Sequence, residues 1–192
     1  MKKIFLIIIF TIFSNLSFSH EYLESFAITS NHMSPTLDKG KQVLAYVDWY
    51  KEMLPQYGDI VIYTDNNDVP QIMRVVGLPL DEIQMKDGVL HINSVEVKKN
   101  KINDIDISLS EGSKKINVEV YEETLPNGVI HQTYDIGLTK PDNVKAFKVP
   151  EYSYFLLGDN RDNSKDSRFV GPVKQKQISD RVLMSIEEIF VN

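Results

Sequence analysis

The sequence predicts a mainly β protein with an apolar segment at its N-terminus. Three observations carry this. Short runs of β-branched and aromatic residues recur along the chain, each bounded by Gly, Pro, Asn or Asp. Several of these runs alternate with a two-residue period. Turn signals, Asp87-Gly88 and Pro126-Asn127-Gly128, separate such runs.

The elements follow in order. Lys2 and Lys3 precede an apolar run, Ile4 to Phe13, broken only by Thr11. Two positive charges before an apolar core direct the following chain away from the cytoplasm. The run lies between a removable signal peptide's apolar core and a full span, roughly 20 residues. Ser17-Phe18-Ser19 offers small residues at cleavage-site spacing, so residues 1–19 read as a signal segment or as a retained anchor. Glu24 to Thr29 reads as a strand. So do Gln42 to Trp49, Gly58 to Tyr63 and Gln71 to Val76, the last ended by Gly77-Leu78-Pro79. Asp87-Gly88 between two apolar runs is a hairpin signal, because a tight turn needs positive φ. From Lys98 to about Lys140 the pattern loosens, with alternation at Val118 to Tyr121 and Val129 to Tyr134 around a Pro126-Asn127-Gly128 turn. This reads as a second β lobe, residues 98–140, inserted into a core of residues 20–97 and 141–192. Tyr152 to Leu157 is a buried strand feeding Gly158, and Arg181 to Val191 a last strand or short helix.

Composition narrows the function classes. Of 192 residues, 42% are hydrophobic and 25% charged, ordinary for a globular protein and unlike a disordered one. The formal net charge is -6 and no basic stripe stands out, which argues against a nucleic-acid partner. Cysteine is absent, and no His/Cys/Asp/Glu spacing suggests a metal or other cofactor site.

Two segments carry chemistry. Gly158-Asp159-Asn160-Arg161-Asp162-Asn163-Ser164-Lys165-Asp166-Ser167-Arg168 resembles a hallmark box of bacterial type I signal peptidases. Ser30-Asn31-His32-Met33-Ser34-Pro35-Thr36-Leu37 resembles their nucleophile box, S-x-S-M-x-P-T-L, and Gly58 to Tyr63 a further box. The resemblance implies an antiparallel β core held at the membrane by an uncleaved N-terminal helix, facing the periplasm or exterior. It also implies a Ser/Lys dyad, yet the nucleophile position is His32. The base position, in a stretch like K-R-V-x-G-L-P-G-D, is Met73. A methionine has no proton to exchange, although its unbranched stem fits where a lysine stem lay. His32 with Ser30 or Ser34 would need the loop to reorganise, since alternate residues of an extended segment stand roughly 7 Å apart.

The supporting residues match. Ser30 matches the serine that helps form the oxyanion hole, and Ser164 the serine that orients the lysine. Asp166 and Arg168, with Arg74, match an ion-pair group behind the site, and Asp159 a structural aspartate. Two further departures are Leu80, where the family turn has Gly, and Asp180, where its last box has Gly. The expectation is a membrane-anchored, catalytically silent member that binds extended peptide or pre-protein segments, as in secretion or surface assembly. The rivals are an active signal peptidase with an unusual dyad and a structural partner of another peptidase.

Overall fold

The computed structural model describes residues 23–108, 115–137, 139 and 142–186. The expected N-terminal membrane segment lies outside these, as does the end of the last expected element. Among the described residues, no helix is long and apolar enough to cross a membrane.

The strands, in chain order, are β1 (Leu23–Ala27), β2 (Gln42–Tyr46), β3 (Ile60–Thr64), β4 (Pro70–Gly77), β5 (Glu82–Lys86), β6 (Val89–Ile92), β7 (Val95–Glu96), β8 (Lys98–Ser108), β9 (Lys115–Thr124), β10 (Ile130–Asp135), β11 (Val144–Lys148), β12 (Ser153–Leu157), β13 (Val173–Lys174) and β14 (Ile178–Ser185). A one-turn helix, α1 (Ser167–Val170), precedes β13. The fold is mainly β, as the residue pattern predicts. A seven-stranded antiparallel sheet runs β1-β2-β14-β3-β4-β12-β13. A four-stranded sheet runs β11-β5-β6-β7, and a three-stranded sheet β10-β9-β8.

Strand β12, between β4 and the edge strand β13, explains how the layers fit. All five of its residues are buried. Side chains alternate across a strand, so Tyr154 and Leu156 enter one apolar core with Val61, Met73 and Val75. Phe155 and Leu157 enter a second, with Ile83, Leu90 and Leu125. A strand covered on both faces reads as a continuous apolar run.

The Asp87-Gly88 hairpin is present, with Met85 opposite Leu90 and both turn residues at positive φ. The strand expected over residues 42–49 ends at Tyr46. There Asp48 takes a left-handed conformation and opens a 3₁₀ turn over Trp49–Lys51. Asp180 bears on that turn: its buried carboxylate accepts the Asp48 amide at 2.8 Å. The last element is a strand from Ile178 and lies between β2 and β3.

Leu80 has φ 70, the left-handed region that an L side chain resists. The turn is held regardless, because Asp81 accepts from the Leu78 amide at 2.7 Å and from the Asn93 side chain at 2.8 Å. Leu80 is half-exposed, so little burial is lost on removing its side chain. Leu80→Gly is expected to stabilise the fold by about 0.5–1 kcal/mol, relief of strain outweighing the looser unfolded chain. Chemical denaturation checks the sign.

Candidate functional site

Three segments converge: the loop at residues 30–37, strand β4, and the turn after β12. The Asn160 amide donates to the His32 carbonyl at 3.0 Å, and the Asn160 side chain to the Asn31 carbonyl at 3.1 Å. The two motif boxes are thus joined through backbone groups. Gly158 sits at the closest approach. A Cβ there would lie 2.3 Å from the Ser164 hydroxyl and 2.5 Å from the His32 carbonyl oxygen, so only glycine fits.

Met73 is fully buried in β4, and the Ser164 hydroxyl lies 3.6 Å from its sulfur. His32, packed through its carbonyl against the same glycine, is half-buried. Burial holds its imidazole below the usual range, partly offset by the nearby Asp166 carboxylate. Burial thus favours the neutral form of the His32 imidazole. Ser34 is committed elsewhere: buried, it donates to Asp38 at 2.7 Å. Ser30 lines an apolar pocket of about 310 Å³ with Phe26, Ile28, Met33 and Ile72. His32 lines a neighbouring polar cavity of about 480 Å³, and Gln71 borders both.

The ion pairs differ from expectation. Arg74 does not join Asp166; it makes a two-pronged contact with Asp159 at 2.8 and 2.7 Å. Its third nitrogen donates to the Gly58 carbonyl at 2.8 Å. Thr36 also donates to Asp159, at 2.5 Å. Arg74 follows Met73 on β4 and so points to the other side of the strand, where Asp159 waits. Burial opposes ionisation of Asp159, but the Arg74 guanidinium overrides it and holds the carboxyl below its usual range. Asp166 pairs instead with Arg168, at 2.9 and 2.8 Å, and accepts the Gly158 amide at 3.1 Å. It also caps α1 through the Arg168 amide. These groups hold the turn that carries Ser164.

Residue patterns alone do not reveal the groups that tie the three-stranded sheet to this turn. Arg161 makes two hydrogen bonds to Glu123 of β9, at 2.7 and 2.6 Å, with both side chains buried. Asp162 accepts the Ile136 amide at 2.7 Å, and the Tyr134 amide donates to the Asp159 carbonyl at 2.9 Å. Arg161 and Asp162 lie within a legible motif, but Glu123 stands in a stretch without one.

His131 of β10 lies 3.7 Å from Glu123 and 3.9 Å from Asp159, and neither ring nitrogen has a hydrogen-bond partner. Burial pushes its pKa from 6.5 down to about 4. The unfolded chain takes up this proton as pH falls through 6.5, whereas the folded protein resists until about 4. Stability from this residue is complete above pH 6.5 and declines by about 3 kcal/mol between 6.5 and 4. His131→Phe is expected to flatten that window in urea titrations, with little loss at pH 7, because no hydrogen bond is sacrificed.

Among the described residues no cluster of His, Cys, Asp or Glu is arranged to hold a metal ion. The site offers a buried hydroxyl, a half-buried imidazole and an apolar pocket, without an amine at the Met73 position.

A family model described as "Signal peptidase, peptidase S26" matches residues 1–186. A signal peptidase I of Rickettsia canadensis is 41% identical over 123 residues, covering 59% of this chain and 44% of that protein. That of Rickettsia felis is 42% identical over 123 residues, with the same coverage. The chain spans less than half the length of these relatives. A crystal structure of a signal peptidase I from Enterococcus faecalis V583 superposes with a TM-score of 0.42 at 23% identity, covering 69% of this chain and 98% of that one.

Proposed function

Because the chain belongs to the signal peptidase family, peptidase S26, we propose that it is a peptide-binding member that has lost the family's hydrolysis. His32 stands at the nucleophile position and Met73 at the base position. One observation carries this reading: the Ser164 hydroxyl meets a buried thioether, 3.6 Å away. A thioether cannot accept a nucleophile's proton, so a serine mechanism has no base at that point. Ser30 retains the oxyanion-hole position and Asp159, Asp166, Arg74 and Arg168 the framework, which serve binding as well as catalysis.

The substrate of this binding is an extended segment of a secreted pre-protein. The apolar pocket beside Ser30 accepts small or apolar side chains, and β1 is an edge strand of the seven-stranded sheet. An edge strand next to side-chain pockets suits an extended peptide. The protein acts at the outer face of the cytoplasmic membrane, held by residues 1–19, as an assembly factor for secreted or surface proteins.

A labelled signal-peptide segment should bind the full chain in detergent micelles saturably and remain intact. Ala27→Trp, which fills the pocket from an exposed position, is expected to weaken binding about tenfold, ~1.4 kcal/mol. Absence of binding by the unmodified protein defeats this reading.

A second reading has support of its own. Relatives 37–42% identical are named signal peptidase I, and burial favours the neutral form of His32, the form a general base needs. On this reading His32 activates water or Ser30, and the chain cleaves signal peptides.

A further inference from the structure

The cleft continues beyond His32. The polar cavity that His32 lines borders the apolar pocket through Gln71. On its other side, Pro172 and Lys174 separate it from a third cavity, of about 690 Å³. The three adjoin in series, and their chemistry changes along the way. Lys165 and Lys174 line the polar cavity, and Lys174 continues into the third, where Lys176 joins it. The carboxylates nearby are Asp65 and Glu151. Asp65 accepts the Asn67 amide at 2.8 Å and the Val69 amide at 3.0 Å, which favour its anionic form, and it lies in the field of Lys165. Lys51, also at the third cavity, is paired with Asp48 at 2.7 Å. Three lysines, Lys165, Lys174 and Lys176, thus face two carboxylates, a local excess of one positive charge on a protein of net charge -6. Tyr152 stands over the third cavity, 72% exposed and at φ 56, an unfavourable backbone state for a tyrosine.

We propose that this second half of the trough takes the part of the bound peptide that follows the stretch seated on the apolar pocket, and that Lys165, Lys174 and Lys176 select acidic residues there. The inference rests on the peptide-binding reading and adds to it a direction and a charge preference. The shared walls, Gln71 between the first two cavities and Pro172 with Lys174 between the last two, set the lysines in line with the apolar pocket, which favours an extended peptide over a lipid surface. Lysines on exposed stems act as point charges, so they discriminate charge rather than shape.

The test uses the full chain in nanodiscs and labelled peptides. The peptides share a first half carrying Ala at alternate positions, and differ only in a second half bearing Glu, Gln or Lys. Each exposed pair contributes up to about fivefold. The Glu peptide is therefore expected to bind roughly 3–10-fold tighter than the Gln peptide at low salt, an advantage lost at high salt. The Lys165→Glu, Lys174→Glu double variant is expected to prefer the Lys peptide; both positions are exposed, so the fold should tolerate them. The Glu peptide should also protect both lysines from acetylation. Equal affinity of all three peptides overturns the inference and leaves the binding reading standing. Failure of every peptide to bind removes both. If the peptides bind alike and the lysines are protected only in phosphatidylglycerol nanodiscs, not in phosphatidylcholine ones, the trough faces lipid and the inference falls.

Discussion

The double substitution His32→Ser with Met73→Lys is expected to create measurable cleavage after small residues, on the order of 10³-fold or more above the unmodified protein. Either change alone is expected to give none, since a nucleophile without a base and a base without a nucleophile are both idle. The supporting groups are favourably placed. Ser164 already directs its hydroxyl at the Met73 sulfur, where it would meet the introduced amine. Met73 has no exposed surface, so the amine would be desolvated and its pKa depressed. Activity should therefore rise with pH as that amine loses its proton. The burial also destabilises the fold, so circular dichroism and a melting curve must accompany the assay. A folded double variant that binds signal peptide but does not cleave it would mean that the oxyanion site has drifted. One that is folded and binds nothing would count against the peptide-binding reading.

The second large effect is structural. Arg161→Met leaves the Glu123 carboxylate buried without its partner and is expected to lower stability by about 3–5 kcal/mol. Arg161→Met together with Glu123→Leu should recover most of this, because the pair's attraction is offset by the desolvation of both charges. Chemical denaturation of the parent, Arg161→Met, Glu123→Leu and the double variant gives the coupling directly. A single variant as stable as the parent would mean that water enters the network. The coupling matters to the site because Arg161 sits between Asp159 and Ser164 in sequence, so the three-stranded sheet braces the turn that carries both.

Much of this arrangement is legible in the residue order, for physical reasons. Strands such as Gly58 to Tyr63 and Tyr152 to Leu157 announce themselves because β-branched and aromatic runs end at residues that break a ladder. The motif boxes are legible because contacts within them are local, as when Asp166 caps the helix holding Arg168. The expected grouping of Arg74 with Asp166 fails where locality ends. Neighbours in a box suggest one ion-pair group, but side-chain alternation on β4 and the course of the turn deliver Arg74 to Asp159. Glu123 and His131 are silent in sequence, because a buried polar side chain has no periodicity and the groups it faces lie far along the chain. The end of β2 at Tyr46 likewise depends on a distant residue, Asp180, whose carboxylate holds the Asp48 amide.

Loss of hydrolysis is the central claim, and the direct measurement is turnover. The full chain, reconstituted in lipid, is incubated with a pre-protein substrate, and the products are identified by mass spectrometry. The account predicts intact substrate at every pH from 6 to 10, with bound peptide recoverable. Site-specific cleavage at or above about 1 s⁻¹, within the ordinary enzyme range, would contradict it. Loss of that cleavage in His32→Ala would then identify His32 as the working base.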